Sequence, residues 1–126
     1  MAATTPQNLV TFKAGGVINE YRFVKFSAAG TVVECTANGK AIGIAQNSSA
    51  TSSGDMVEVA LSGGGAKLKI AEAVAQSNFL TSTGVGKGEI ADAQHEFVGA
   101  IAFESGASDD IIGVRVTAFS ATQSDA

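Results

Sequence analysis

Short apolar alternations separated by polar, glycine-rich breaks run along the whole chain. The stretch from Ala41 to Leu61, AIGIAQNSSATSSGDMVEVAL, shows the unit most plainly. Ile42 and Ile44 belong to one alternating run, and Met56, Val57, Val59 and Leu61 to the next. Between them lie Asn47, Ser48, Ser49, Thr51, Ser52, Ser53 and Gly54, residues that favour turns through local side-chain hydrogen bonds or a permissive backbone. The same grammar returns from Phe97 to Val116 as FVGAIAFESGASDDIIGVRV, where Gly99 answers to Gly43 and Asp110 to Asp55. Strands are also predicted over Tyr21–Phe26, Thr31–Ala37, Ala41–Ala45, Lys67–Ile70, Phe79–Thr83, Glu89–Ala91, Phe97–Phe103 and Ile111–Phe119. In the first of these, Tyr21 and Phe23 point one way and Val24 and Phe26 the other. Asn38-Gly39 reads as a hairpin turn, because both residues tolerate the positive φ of a type I′ turn. Glu72 to Ser77 makes at most one helical turn, or only a bend.

Much of the chain aligns with itself at a constant offset of 56, taking Phe23 to Phe79, Gly30 to Gly86, Gly43 to Gly99 and Phe12-Lys13-Ala14 to Leu68-Lys69-Ile70. A one-residue slip in the polar loop then brings Asp55 to Asp110 and Val57 to Ile112. Residues 12–61 and 68–116 therefore read as two similar β units sharing one core, since neither is long enough to bury its apolar face alone. Ser62-Gly63-Gly64-Gly65 is the seam between them. The expected fold is all-β, a compact sandwich or a partly closed barrel, in one domain over 13–119. Ahead of it, 1–12 reads as an extended arm in which polar Met1–Asn8, with the single proline Pro6, leads into Leu9, Val10 and Phe12. That arm either waits for a partner surface or frays. Ser120–Ala126 is a loose polar tail.

Composition agrees with a turn-rich β protein. Gly accounts for 15 of 126 residues, Trp is absent, and only 16% of residues are charged against 45% hydrophobic. The net charge of −4 supplies no basic footprint, so nucleic acid is not an expected partner. No apolar run reaches the roughly 20 residues that span a bilayer, and MAATTPQNLV lacks the basic start and apolar centre of a secretion signal. No membrane partner is expected, and synthesis in a cytoplasm is. Cys35, the single cysteine, lies in an apolar alternation and reads as a small buried hydrophobe.

Candidate chemistry is sparse, and no catalytic, metal or cofactor site is assigned. His95, the single histidine, sits between Gln94 and Glu96 in a connecting segment and reads as a solvated loop residue. Asp109-Asp110 lacks the spaced oxygen ligands of a calcium loop. Gly84-Val85-Gly86-Lys87-Gly88 has the look of a phosphate loop, but Gly88 stands where a Ser or Thr would bind magnesium. The aromatics Phe12, Tyr21, Phe23, Phe26, Phe79, Phe97, Phe103 and Phe119 lack the basic groove of a base-stacking platform, and most are expected in the core.

Taken together, AIGIAQ…SGDMVEVALSG, EAVAQSNFLTSTGVGKGEIADA and FVGAIAF…DDIIGVRV resemble the small capsid cement (decoration) proteins of tailed bacteriophages, over about Ala14 to Val116. The family's small-residue turn leading to Leu-Thr-Ser is matched by Gln76-Ser77-Asn78 and Phe79-Leu80-Thr81-Ser82, and its glycine before the final strands by Gly99. The resemblance implies a non-enzymatic β protein on the outer surface of an assembled phage head, made in the host cytoplasm. The implied partners are the major capsid protein, whose neighbouring subunits it clamps, and further copies of itself, as a trimer in preference to a dimer. It also implies that the N-terminal arm adds to the capsid surface, with Leu9, Val10 and Phe12 as anchors. A non-catalytic adhesive or carbohydrate-binding module on a virion fibre or cell surface is the alternative; the absence of Trp and the single Tyr speak against it.

Overall fold

The computed structural model describes residues 9–27, 30–37, 39–46, 50–91 and 97–120, the last three by backbone only. The described residues form a β-sandwich of two five-stranded antiparallel sheets that do not close into a barrel. The first sheet holds β1 (Leu9–Lys13), β2 (Phe23–Phe26), β3 (Val32–Glu34), β4 (Gly43–Gln46) and β5 (Met56–Leu61) in the order β1-β5-β4-β2-β3. The second holds β6 (Gly65–Lys69), β7 (Phe79–Ser82), β8 (Gly88–Ile90), β9 (Phe97–Ala102) and β10 (Ile111–Ser120) in the order β6-β10-β9-β7-β8. The second sheet repeats the order of the first, strand for strand.

The likeness extends to details that no strand pattern imposes. In each half one parallel bridge ties the residue after the first strand to the third strand, Ala14 to Val32 and Ile70 to Gly88. Each bridge draws the two edges of its sheet toward each other, so the sheet curls around its inner face. An antiparallel bridge, Ile18 to Ala50 and Val74 to Gly106, pins the connection between the first two strands. Left-handed backbone recurs at Tyr21 and Ser77, Gly30 and Gly86, and Gly54 and Asp109.

Three local expectations are corrected. Lys13 faces Met56 and Lys69 faces Ile111, while Gly43 faces Leu61 and Ala100 faces Val116. Gly43 is therefore equivalent to Ala100, and Gly99 to Ile42: the second half carries one more residue ahead of its fourth strand. Asn38-Gly39 does not close a hairpin, because β4 pairs with β2 on the side away from β3; Asn38 itself lies outside the described residues. Tyr21 is not in the strand. With φ 62° it belongs to a turn, and β2 starts at Phe23. Residues 72–77 form bends and turns, the second of the two readings that the sequence offers for this segment.

Two clusters make the core. Ala14, Ile18, Val24, Val32, Ala45, Ala50, Val57 and Val59 fill the inner face of the first sheet. The larger cluster lines the second sheet with Leu68, Ile70, Leu80, Ile112, Val114 and Val116, and is completed by Phe23, Cys35, Ala41, Ile44 and Ala60 from the first. Phe23 and Val24 enter different clusters, as strand alternation requires. The ring of Phe23 lies against Gly99, where a Cβ would stand 2.6 Å from the ring. The expectation that most aromatics are core is not met: among the described ones only Phe23 is fully buried, and Phe26, Phe79 and Phe103 are exposed.

Candidate interaction surface

The candidate chemical groups among the described residues fall into structural roles. Cys35 is closed to solvent; burial pushes its thiol pKa up, against a hydrogen bond with Ser82 from the other half. The carboxylate of Asp55 accepts the backbone N–H groups of Thr51 (2.9 Å) and Ser52 (3.2 Å) and the Thr51 hydroxyl, which hold its pKa below the usual carboxylate range. Asp110 does the equivalent work for Ala107 N–H at 2.9 Å. These acidic residues tie down the loop ahead of the last strand of each half. Asp109 pairs with Lys87 Nζ at 2.9 Å, and that pairing depresses its pKa. His95 lies outside the described residues.

The Gly84–Gly88 loop, which the sequence offers as a weak phosphate-loop candidate, is occupied by protein. Thr83 Oγ1 accepts the N–H groups of Val85 and Lys87 at 3.3 and 3.2 Å. The Gly86 carbonyl accepts Phe23 N–H at 2.7 Å, and the Val85 carbonyl accepts Arg22 Nη1 at 3.2 Å. Gly86 has φ 81°, and a Cβ there would stand 2.8 Å from the Phe23 carbonyl oxygen. The glycine both forms the turn and lets the first half approach it.

Edge strand β6 is capped by the same neighbour. Lys69 N–H donates to the Tyr21 carbonyl at 2.8 Å. The fully buried side chain of Gln46 accepts Lys67 N–H through Oε1 at 3.1 Å and donates to the Lys67 carbonyl through Nε2 at 2.7 Å. A side-chain amide here supplies the donor and acceptor that another strand would supply. Tyr21–Phe23 and Gln46 thus span from β6 to the β7–β8 turn.

Among the described residues, strand β1, the counterpart of β6, pairs with β5 alone. Leu9, Val10 and Phe12, the expected anchors of a free arm, lie in this strand, so the arm does not extend to residue 12. Their alternation with Thr11 and Lys13 matches the register of β5, and pairing with β5 satisfies one side of the backbone. Leu9 and Val10 are exposed; Phe12 is half-buried and meets Phe26 edge-to-face with ring centroids 5.7 Å apart. Residues 1–8 lie outside the described residues.

No family model matches the chain, and no curated protein matches it. Among solved structures, the head fibre gp8.5 N base of bacteriophage phi29 superposes with a TM-score of 0.69 at 14% identity, over 86% of this chain and 92% of that one. The two share a fold. The likeness covers both sheets, so the phage head-fibre base is similar to the doubled unit and not just to one half of it.

Gln46 and Tyr21 are the functional groups that the strand pattern hides. A buried glutamine at the end of AIGIAQ is a signal for a satisfied polar contact, but its partner lies 21 residues away in sequence. The positive φ of Tyr21 has no local signature, since a tyrosine beside Arg22-Phe23 reads as strand.

Proposed function

We propose that this protein is a non-catalytic structural component of a phage head: a cement protein that sits on the outer surface of the capsid and holds neighbouring major capsid subunits together. The observation that carries the reading is the shared fold with a phage head-fibre base across nearly the full length of both chains. The doubled β unit, the structural use of Cys35, Asp55, Asp109 and Asp110, and the low charge suit an adhesive role. Attachment is assigned to the segment ahead of β1, Met1–Asn8, which precedes the terminal strand of the first sheet in sequence. Many weak contacts on a repeating shell would then act together through high effective concentration.

The test is to titrate purified protein onto mature heads from which it has been removed. Saturable, stoichiometric binding that raises the temperature of head disruption is expected, and deletion of residues 1–8 is expected to weaken binding while the circular dichroism and melting curve of the body stay unchanged. Absence of binding to any form of the head overturns the proposal.

The printed identity of the phi29 structure, a head fibre base, favours a second reading in which the protein is the foot of a longer appendage. Under that reading binding saturates at few copies and head stability does not change. Copy number per head separates the two.

A further inference from the structure

The chain is acidic overall, yet three of its eight lysines and arginines meet at one place, where the first half docks on the β7–β8 turn of the second. Main-chain contacts bring the three together. Lys69 N–H donates to the carbonyl of Tyr21, the neighbour of Arg22. Arg22 Nη1 donates to the carbonyl of Val85, in the same turn as Lys87. Lys69 faces Ile111 and lies between Leu68 and Ile70, whose side chains are buried, so strand alternation turns the Lys69 side chain outward. The loop that carries Asp109 completes the group: Asp109 N–H donates to the Ile70 carbonyl at 2.7 Å, and its carboxylate meets Lys87 Nζ at 2.9 Å.

Carboxylates are in shorter supply here than cations. Glu34 lies 4.0 Å from Arg22 Nη1, but its Oε2 already accepts the N–H and the Nδ2 of Asn19, at 2.8 and 2.9 Å. Among the described residues Arg22 Nε has no partner, and the Lys69 side chain makes no hydrogen bond or ion pair. Asp109 answers Lys87, and its side chain is 61% exposed. Its hydrogen bond to Lys87, and then the charges of Lys87, Lys69 and Arg22, hold its pKa low. Asp109 thus shows what this surface takes: a carboxylate, reached from the solvent side and held by several cations. The adjoining turn is open, since a Cβ at Gly84 would meet nothing within 4 Å, and Val85 beside it offers an exposed apolar contact.

We propose that Arg22, Lys69 and Lys87, at the join of the two halves, form a surface that binds acidic side chains of a partner protein, and that the partner is a carboxylate-bearing part of the phage head. The identity of the partner rests on the head reading above; the chemistry of the surface does not. A partner carboxylate enters beside Asp109 and meets cations that the chain leaves without an equal number of its own acids. Nucleic acid fits less well, because a row of phosphates would meet the net charge of −4, whereas one or two carboxylates need only the local field. A contact of this kind governs encounter and choice of partner and weakens as salt screens it.

The experiment titrates the full chain onto heads from which the protein has been removed, at low and at high salt, with circular dichroism as the check on folding. Lys69→Glu is expected to weaken binding about tenfold, since it sets like charges against each other. Asp109→Asn is expected to strengthen it about twofold to fivefold by removing the competing carboxylate. Asparagine accepts the left-handed φ of 69° at this position, so the backbone is kept. Lys40→Glu, at an exposed position outside the surface, is expected to bind as wild type does. Both effects are expected to fade at high salt. The tightening by Asp109→Asn is the readout that a merely structural ion pair would not give. Wild type that binds heads while either Lys69→Glu or Asp109→Asn shifts affinity the opposite way or not at all overturns this proposal and leaves the head reading standing. Wild type that binds no form of the head overturns both. A single-stranded oligonucleotide that binds wild type, competes with heads and is lost by Lys69→Glu overturns the protein partner in favour of phosphate.

Discussion

Gly86 and Gly30 hold the same left-handed backbone in the two halves, but they differ in what surrounds them. A methyl group at Gly30 meets open space, while one at Gly86 meets the Phe23 carbonyl. Gly30→Ala is therefore expected to cost about 1 kcal/mol from backbone strain alone. Gly86→Ala is expected to cost about 2–4 kcal/mol, because the contact with Phe23 must open as well. Urea unfolding of the two variants measures the difference. Cys35 gives a second check at this scale. Burial raises its thiol pKa, so the folded state disfavours the thiolate. The stability tied to this group is complete below the pKa of the unfolded thiol and is lost as the pH rises through the folded value. A thiol reagent at neutral pH is expected to leave native protein unmodified and to label it at the rate of unfolding. Rapid labelling of native protein would show Cys35 to be accessible. Its burial is legible in TVVECTA, where the cysteine occupies an apolar position; its contact with Ser82, 47 positions on in the other half, is not.

Among the elements, β6 and β1 have the same place in their sheets and different fates. Gln46 turns β6 from an edge into a covered strand by bonding both the N–H and the carbonyl of Lys67. Gln46→Leu keeps the volume but strands both groups, and is expected to cost about 2–4 kcal/mol. Guanidinium unfolding checks this. The strands themselves are written in local alternation, which is why nearly every one is anticipated within two or three residues. The partners of the strands are not. Asn38-Gly39 carries the signature of a hairpin, yet β2 lies between β3 and β4. Turn chemistry governs how the chain bends, whereas strand order depends on which apolar faces must be covered. Leu9–Phe12 fails for a related reason. A short apolar run behind a polar terminus looks like an arm until the exposed side of β5 is there to pair with it.

The molecule as a whole is held together by a shared cluster. Phe23, Ile44 and Ala60 complete the core of the second sheet, whereas the first sheet also has a cluster of its own. The halves are expected to unfold in one cooperative transition, and Phe23→Ala is expected to lower stability by about 3–5 kcal/mol. Expressed separately, residues 64–126 are expected to lack a cooperative thermal transition, since Ala66, Leu68 and Val116 would be left open to water. A sharp native-like melt from that fragment would show that Phe23 and Gln46 of the first half are dispensable to it.

The sequence by itself determines the all-β class, the doubling of the unit and the sparse chemistry, because alternation, glycine spacing and composition are properties of neighbouring residues. Only the tertiary structure decides that Gly43 answers to Ala100, that β1 belongs to the sheet, and that Gln46 caps β6. Those outcomes turn on backbone groups and ring faces brought together from distant parts of the chain, and local pattern carries no record of which distant surface will cover a given edge.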